Sequence, residues 1–171
     1  MPSVASPRGM AGGEDEIAAG EAALGKLDYD AAFKHFDKAT KLDAKNAIAF
    51  FGKAESALGI PTVEADDIVG WYRKAIELEP DNAQFHEAIA SLCMDLGRFN
   101  EAEQAYNKAA ELDKDNAPFY YSEFAVHYRT KAPVVMEQFL DDKTKDMIAQ
   151  KSLNYLLKAL SMDREEAKRL L

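Results

Sequence analysis

The stretch that decides the fold of this chain is AQFHEAIASLCMDLGRFNEAEQAYNKAAELDKDN, residues 83–116. The end of this stretch has three counterparts, which read FKHFDKATKLDAKN (33–46), WYRKAIELEPDN (71–82) and SLNYLLKALSMD (152–163). In every copy, an aromatic residue or a leucine is followed three residues later by alanine, and after three more by leucine or methionine. Such self-similarity is the signature of a protein built from structural repeats.

The spacing of the copies and their hydrophobic pattern predict the structure of one repeat. The alanines of the four copies are separated by 36, 34 and 50 residues (Ala39, Ala75, Ala109 and Ala159). From Glu14 onward, apolar residues recur three and four positions apart, which is the period of an α-helix with one buried face. No run of alternating β-branched residues stands between turn signals, so no β-sheet is predicted. We therefore expect an all-α chain with two helices in each repeat.

A period near 34 residues with two helices in each unit resembles the tetratricopeptide repeat. Residues 83–116 match the family pattern over a full unit, through Ile89, Ala90, Gly97, Ala102, Tyr106 and Ala109. Residues 13–46 match it through Gly20, Tyr29, Ala32, Phe36 and Ala39. Residues 47–82 match it through Phe50, Ala54, Tyr72, Ala75 and Pro80, with two extra residues at Gly59–Thr62. The resemblance implies a right-handed solenoid of helical hairpins with about four units.

The resemblance also implies how the chain is divided. We expect a flexible N-terminal tail, a solenoid over residues 14–163 and a polar C-terminal cap. In order, the predicted segments are the tail (1–13), four units (13–46, 47–82, 83–116 and 117–163) and the cap (164–171).

The fourth unit departs from the family pattern in two ways. Phe124 stands where the family has a small residue, and an insertion at about 132–150 separates its two helices. We expect Pro133 to end the first helix near residue 131, because proline lacks the backbone N–H that a helix interior requires. Val134–Leu140 is then expected to open a further helix, and the last long helix to end near Met162.

Small and aromatic residues have complementary roles in a stack of helical pairs. Small side chains let paired helices approach closely, and we expect this at Gly20, Ala32, Ala54, Ala90 and Ala102. Aromatic side chains fill the gap to the next pair, and we expect this at Phe36, Tyr72 and Tyr106. One pair cannot bury both of its faces, so stacking supplies the core.

Composition limits the classes of partner and the compartment. Among 171 residues, 21 Lys and Arg stand against 30 Asp and Glu, so the formal net charge is −9. An acidic chain is a poor ligand for nucleic acid or anionic lipid. No apolar run approaches the ~20 residues of a membrane span, and no secretory signal opens the chain. Cys93 is the single cysteine, which excludes an internal disulfide and predicts a cytoplasmic location.

The sequence offers no set of residues that would perform a reaction. The three histidines, His35, His86 and His127, lie in different units and have no metal-ligand spacing. Cys93 has no CxxC partner and is expected to be a small buried residue. Glycine-rich phosphate loops and nucleophile elbows are absent from the sequence. We therefore expect no enzyme activity, no cofactor and no metal.

In tetratricopeptide proteins the first helix of each pair lines a concave groove that binds the partner. Carried over to this sequence, the groove positions are Ile17, Glu21, Leu24, Phe51, Glu55, Leu58, Glu87, Ser91, Met94, Tyr121, Ala125 and Tyr128, with Arg129 the main nearby cation. The lining is acidic and aromatic. We expect Phe51, Tyr121 and Tyr128 to anchor a partner through apolar contacts, and the three glutamates to select positive charge.

These residue types predict a protein partner with a basic or amphipathic helical segment, or with an extended apolar peptide. The subgroup that grips acidic C-terminal tails of heat-shock chaperones has Lys, Asn and Arg where this chain has Ile17, Glu21, Glu87 and Ser91. Like charges would repel such a tail, so we expect a different ligand. The favoured function is a scaffold or adaptor. A dedicated chaperone or assembly factor, and a subunit that docks through the insertion, remain alternatives, and a homo-oligomer is left open.

Overall fold

The computed structural model describes the backbone of residues 8–169 and the side chains of residues 12–169. Over that range the chain is all-α, as predicted, and no strand occurs among the described residues. The helices fall into two compact bodies, divided between Pro80 and Asp81. The N-terminal body contains α1 (Arg8–Leu24), α2 (Tyr29–Leu42), α3 (Ala47–Ala57) and α4 (Ala65–Leu78). The C-terminal body contains α5 (Ala83–Asp95), α6 (Phe99–Leu112), α7 (Ala117–Val135), α8 (Asp142–Ala159) and α9 (Arg164–Arg169).

The repeated turn residues determine where the helices begin and end. Asn46 caps α3 and Asn82 caps α5, each accepting a hydrogen bond from a backbone N–H in the first turn, at 3.1 and 3.2 Å. The acidic residues that close α2, α4 and α6 each donate their backbone N–H to the carbonyl of the repeated alanine: Asp43 to Ala39, Glu79 to Ala75 and Asp113 to Ala109. The same local sequence therefore produces the same helix end three times.

Phe36 of α2 joins successive helical pairs in the N-terminal body. Its side chain is only 1% exposed. A Cβ atom built at Gly20 of α1 would lie 2.8 Å from the Phe36 ring, and one at Gly52 of α3 would overlap the ring. Tyr106 is equally buried, and its ring lies 6.3 Å from that of Phe124 in the next pair, so the predicted role is confirmed for Phe36 and Tyr106. Tyr72 is buried as well, and so are the small residues: Gly20, Ala32, Ala54, Ala90 and Ala102.

Two glycines in the N-terminal body should respond oppositely to the same substitution. Gly52→Ala should lower the free energy of unfolding by about 1–3 kcal/mol, because the new methyl group displaces the Phe36 ring. Gly70→Ala should raise it by about 0.5–1 kcal/mol, because nothing lies within 4 Å of the new Cβ and alanine favours the helix. Urea denaturation of both variants measures the two effects, and equal shifts of the same sign would contradict the packing described above.

The insertion does not form a separate helix, so that prediction is wrong. α7 continues past Pro133 to Val135, a single 3-10 turn follows at Glu137–Phe139, and α8 begins at Asp142. The insertion thus lengthens two helices. Proline cannot donate the helical hydrogen bond at this position. Two contacts with the end of α5 and the turn after it lie beside it: Lys131 pairs with Asp95, and Val135 lies over Gly97, 3.1 Å from the position of a Cβ there.

Both ends of the described range also differ from prediction. α1 begins at Arg8, inside the stretch expected to be a flexible tail, and Gly13 is buried beside Leu42 at the end of α2. Residues 1–7 and 170–171 lie outside the described residues. At the other end, α8 stops at Ala159 rather than near Met162, and an exposed short helix, α9, follows.

Candidate partner-binding surfaces

An exposed row of side chains runs along α3 in the N-terminal body. Ile48, Phe51, Glu55 and Leu58 are spaced three, four and three residues apart, which places them on one face of the helix. Ile48 is 38% and Leu58 51% exposed, while Phe51 and Glu55 are half-buried. The other faces of α3 are occupied by packing against α2 and α4. This row is therefore the part of α3 that a partner can reach.

Helix α1 contacts α3 and supplies the neighbouring side chains of the same surface. Ile17 and Leu24 are half-buried, and Glu21 is exposed. The Glu21 carboxylate makes no hydrogen bond or ion pair with the residues that the structure describes. We call these seven residues the α1/α3 surface: Ile17, Glu21, Leu24, Ile48, Phe51, Glu55 and Leu58. Sequence reasoning named six of them and missed Ile48, although its spacing of three from Phe51 would have revealed it.

Glu55 has a structural role in addition to its place on this surface. The hydroxyl group of the fully buried Tyr72 donates a hydrogen bond to the Glu55 carboxylate. The rings of Tyr72 and Phe51 lie 5.8 Å apart. Substituting Glu55 would remove the acceptor of a buried hydroxyl, which destabilises a protein. Glu21 is consequently the better position at which to test the charge of this surface.

In the C-terminal body, carboxylates gather around the hydroxyl of Tyr106. Burial raises the pKa of this tyrosine, the negative charges of Glu123, Glu87 and Asp95 raise it further, and a hydrogen bond to Ser91 acts in the opposite direction. We call Glu87, Asp95 and Glu123 the acidic patch. The predicted site residues Glu87 and Ser91 thus lie in an environment of negative charge.

Three of the predicted groove residues are core residues, so that part of the prediction is corrected. Met94, Ala125 and Tyr128 are at most 3% exposed and cannot contact a partner. α8 packs against α7 beside Tyr128: the Tyr128 ring lies 5.3 Å from Phe124, which in turn lies 4.5 Å from Tyr155. Phe124 thus fills the space where the family has a small residue.

The fourth predicted position on α7, Tyr121, remains half-buried at the edge of the α7–α8 contact. Its ring lies 6.0 Å from that of Tyr155, and the Lys158 ammonium group lies 5.5 Å from its centroid. A partner can reach only its outer edge.

Arg129, predicted as the main cation near the groove, lines a cleft between α7 and α8. The cleft has a volume of about 210 Å³ and is lined by Arg129, Pro133, Lys145, Ile148 and Ala149. Arg129 is exposed and makes no ion pair with the described part of the chain. Sequence reasoning missed the other four residues because it treated this segment as an insertion with a helix of its own.

The histidines and acidic residues of the described range do not assemble a metal site of three or more ligands. His35 contacts Glu16 at 2.7 Å, and this hydrogen bond and that from Lys38 hold the pKa of Glu16 below its usual range. The pair of contacts ties α1 to α2. His127 contacts Glu123 at 3.2 Å. Among the described helices, none has the length and apolar character needed to cross a bilayer.

Comparison with known families identifies the class of this chain. Models of the tetratricopeptide repeat match residues 17–65 and 83–116. The chain is therefore a tetratricopeptide repeat protein. Repeats of this family form protein–protein interaction modules, and stacked repeats expose extended surfaces on which partners bind.

Individual relatives are similar over part of their length or in fold alone. The Protein STIP1 homolog of Dictyostelium discoideum is 37% identical over 86 residues, which are 50% of this chain but only 15% of that protein. The crystal structure of MamA has a TM-score of 0.70 at 18% identity and covers 91% of this chain and 81% of that one. A mutant O-GlcNAc transferase from Thermobaculum terrenum has a TM-score of 0.66 at 15% identity, with 88% of this chain matching 27% of the enzyme.

Proposed function

We propose that this chain is a non-catalytic adaptor that binds a basic, amphipathic segment of a partner protein on the α1/α3 surface. The observation that carries the proposal is the apolar row of the exposed Ile48 and Leu58 and the half-buried Phe51, on the same α1/α3 surface as the exposed carboxylate of Glu21. An amphipathic helix binds such a surface through apolar side chains spaced one turn apart. Glu21 then attracts the cations that flank those side chains and repels acidic tails.

The charge of the C-terminal body supports the same preference. Residues 81–128 contain three Lys and Arg against nine Asp and Glu, a formal charge of −6, and the acidic patch belongs to this segment. Long-range attraction of this kind accelerates the approach of a basic partner. A reducing, cytoplasmic setting is part of the proposal, in keeping with a single cysteine that is 1% exposed.

A labelled amphipathic peptide of lysine and leucine, about 18 residues long, tests the proposal by fluorescence anisotropy. We expect the variant Glu21→Lys/Leu58→Ser to bind it about tenfold more weakly, since it loses one attractive charge and one apolar contact. We also expect the affinity for the unaltered chain to fall as salt is added.

The control is Asp115→Lys/Val126→Ser in the C-terminal body, which makes the same two chemical changes at exposed positions. This variant should bind the peptide with a loss of less than about twofold. Equal losses in the two variants would overturn the assignment to the α1/α3 surface.

A further inference from the structure

Positive charge in this acidic protein is concentrated at its C-terminal end. Residues 129–171 contain nine Lys and Arg against seven Asp and Glu, a formal charge of +2. The preceding segment of the same body, residues 81–128, carries −6. The two segments of the C-terminal body therefore carry opposite formal charge, and all the residues that line the cleft between α7 and α8 belong to the positive one.

Two cations and three apolar residues line that cleft. Arg129 lacks a described partner, and the contact between Lys145 and Asp142 is 3.5 Å long, with both side chains more than half exposed. Exposed pairs of this kind are weak and are easily exchanged for another carboxylate. Pro133, Ile148 and Ala149 supply the apolar wall. The cleft thus suits a carboxylate that is carried next to an apolar side chain.

An exposed apolar row leads away from the cleft along α8. Ala149, Leu153 and Leu160 share one face of the helix, and Leu153 is 42% and Leu160 66% exposed. The face that packs on α7 is a different one, formed by Ile148, Ser152 and Tyr155, which are buried. The row begins at the cleft, since Ala149 belongs to both.

We propose that the cleft and the α8 row bind an acidic amphipathic segment of a second protein partner. One carboxylate side chain of that segment lies between Arg129 and Lys145, and its apolar side chains follow the α8 row. The α8 site differs from the α1/α3 surface in charge and lies in the other body. The chain then has one site for a basic segment and a separate site for an acidic one.

The probe is a labelled amphipathic peptide of glutamate and leucine, about 18 residues long, titrated against the full chain. We expect Arg129→Gln/Leu153→Ser to bind it about tenfold more weakly than the unaltered chain. Lys145→Gln, a change at an exposed helix position, should weaken binding by about threefold. This loss of affinity should become larger as the salt concentration is lowered. The affinity of both variants for the lysine–leucine peptide should not change, which separates this site from the α1/α3 surface.

The matched control is Lys34→Gln/Leu27→Ser, which removes an exposed cation and an exposed apolar side chain in the N-terminal body. It should bind the glutamate–leucine peptide like the unaltered chain. The proposal is overturned if the unaltered chain does not bind this peptide, or if the control loses as much affinity as Arg129→Gln/Leu153→Ser.

Discussion

Phe36→Ala should lower the free energy of unfolding of the N-terminal body by about 3–5 kcal/mol, which is a large part of the stability of an ordinary domain. The side chain is 1% exposed and fills the space between Gly20 and Gly52. Glycines have no side chains with which to refill that space, so the cavity persists after the ring is removed. The loss therefore includes a cavity contribution as well as the transfer of the ring to water.

Trp71 provides the measurement, because it is the only tryptophan and it packs in the N-terminal body, 5.5 Å from the ring of Phe33. The fluorescence of Trp71 during urea denaturation should show that Phe36→Ala unfolds at a lower urea concentration than the unaltered chain. Phe139→Ala is the control, since that ring is 76% exposed and its removal should change stability by less than about 0.5 kcal/mol. Similar midpoints for the two variants would contradict the role assigned to Phe36.

Phe124→Ala should lower the free energy of unfolding of the C-terminal body by a similar amount, about 3–5 kcal/mol. The family pattern has a small residue at this position, so a reader of the sequence would expect alanine to be tolerated there. In the structure, Phe124 is fully buried and its ring lies 4.5 Å from Tyr155, 5.3 Å from Tyr128 and 6.3 Å from Tyr106. Removing it leaves three aromatic rings without their common neighbour.

Phe119→Ala is the control on the same helix, because Phe119 is 51% exposed. Hydrogen exchange of the α7 and α8 amides reports on this body directly. Exchange should accelerate strongly in Phe124→Ala and little in Phe119→Ala. An unchanged or more stable Phe124→Ala would mean that the family pattern, rather than the aromatic cluster, governs this position.

The helices of the first three repeats could be predicted because each depends on neighbours close in sequence. The hydrophobic spacing of these helices relates residues three or four positions apart, as at Phe36, Tyr72 and Tyr106. The capping hydrogen bonds of Asn46 and Asn82 are equally local. The repeated alanines follow the same local rule. The interactions that form these helices are therefore local and can be recognised in the sequence.

The accessible part of the candidate site could be predicted less well. The sequence places Tyr121, Ala125 and Tyr128 on one face of α7, and the structure agrees on that placement. The sequence does not reveal that α8 covers that face, because the contact of α8 with α7 joins residues about 30 positions apart. The same limitation hid the cleft at Arg129.

Local spacing along the chain was thus sufficient for the all-α class, the helical pairs and the family, because helix formation and capping are decided within one or two turns. Tertiary structure alone decided which predicted residues a partner can reach. α7 continues past Pro133 beside contacts of Lys131 with Asp95 and of Val135 with Gly97, and no local pattern encodes these contacts. Packing between such distant residues buried Tyr128, exposed the row on α3 and formed the cleft beside Arg129.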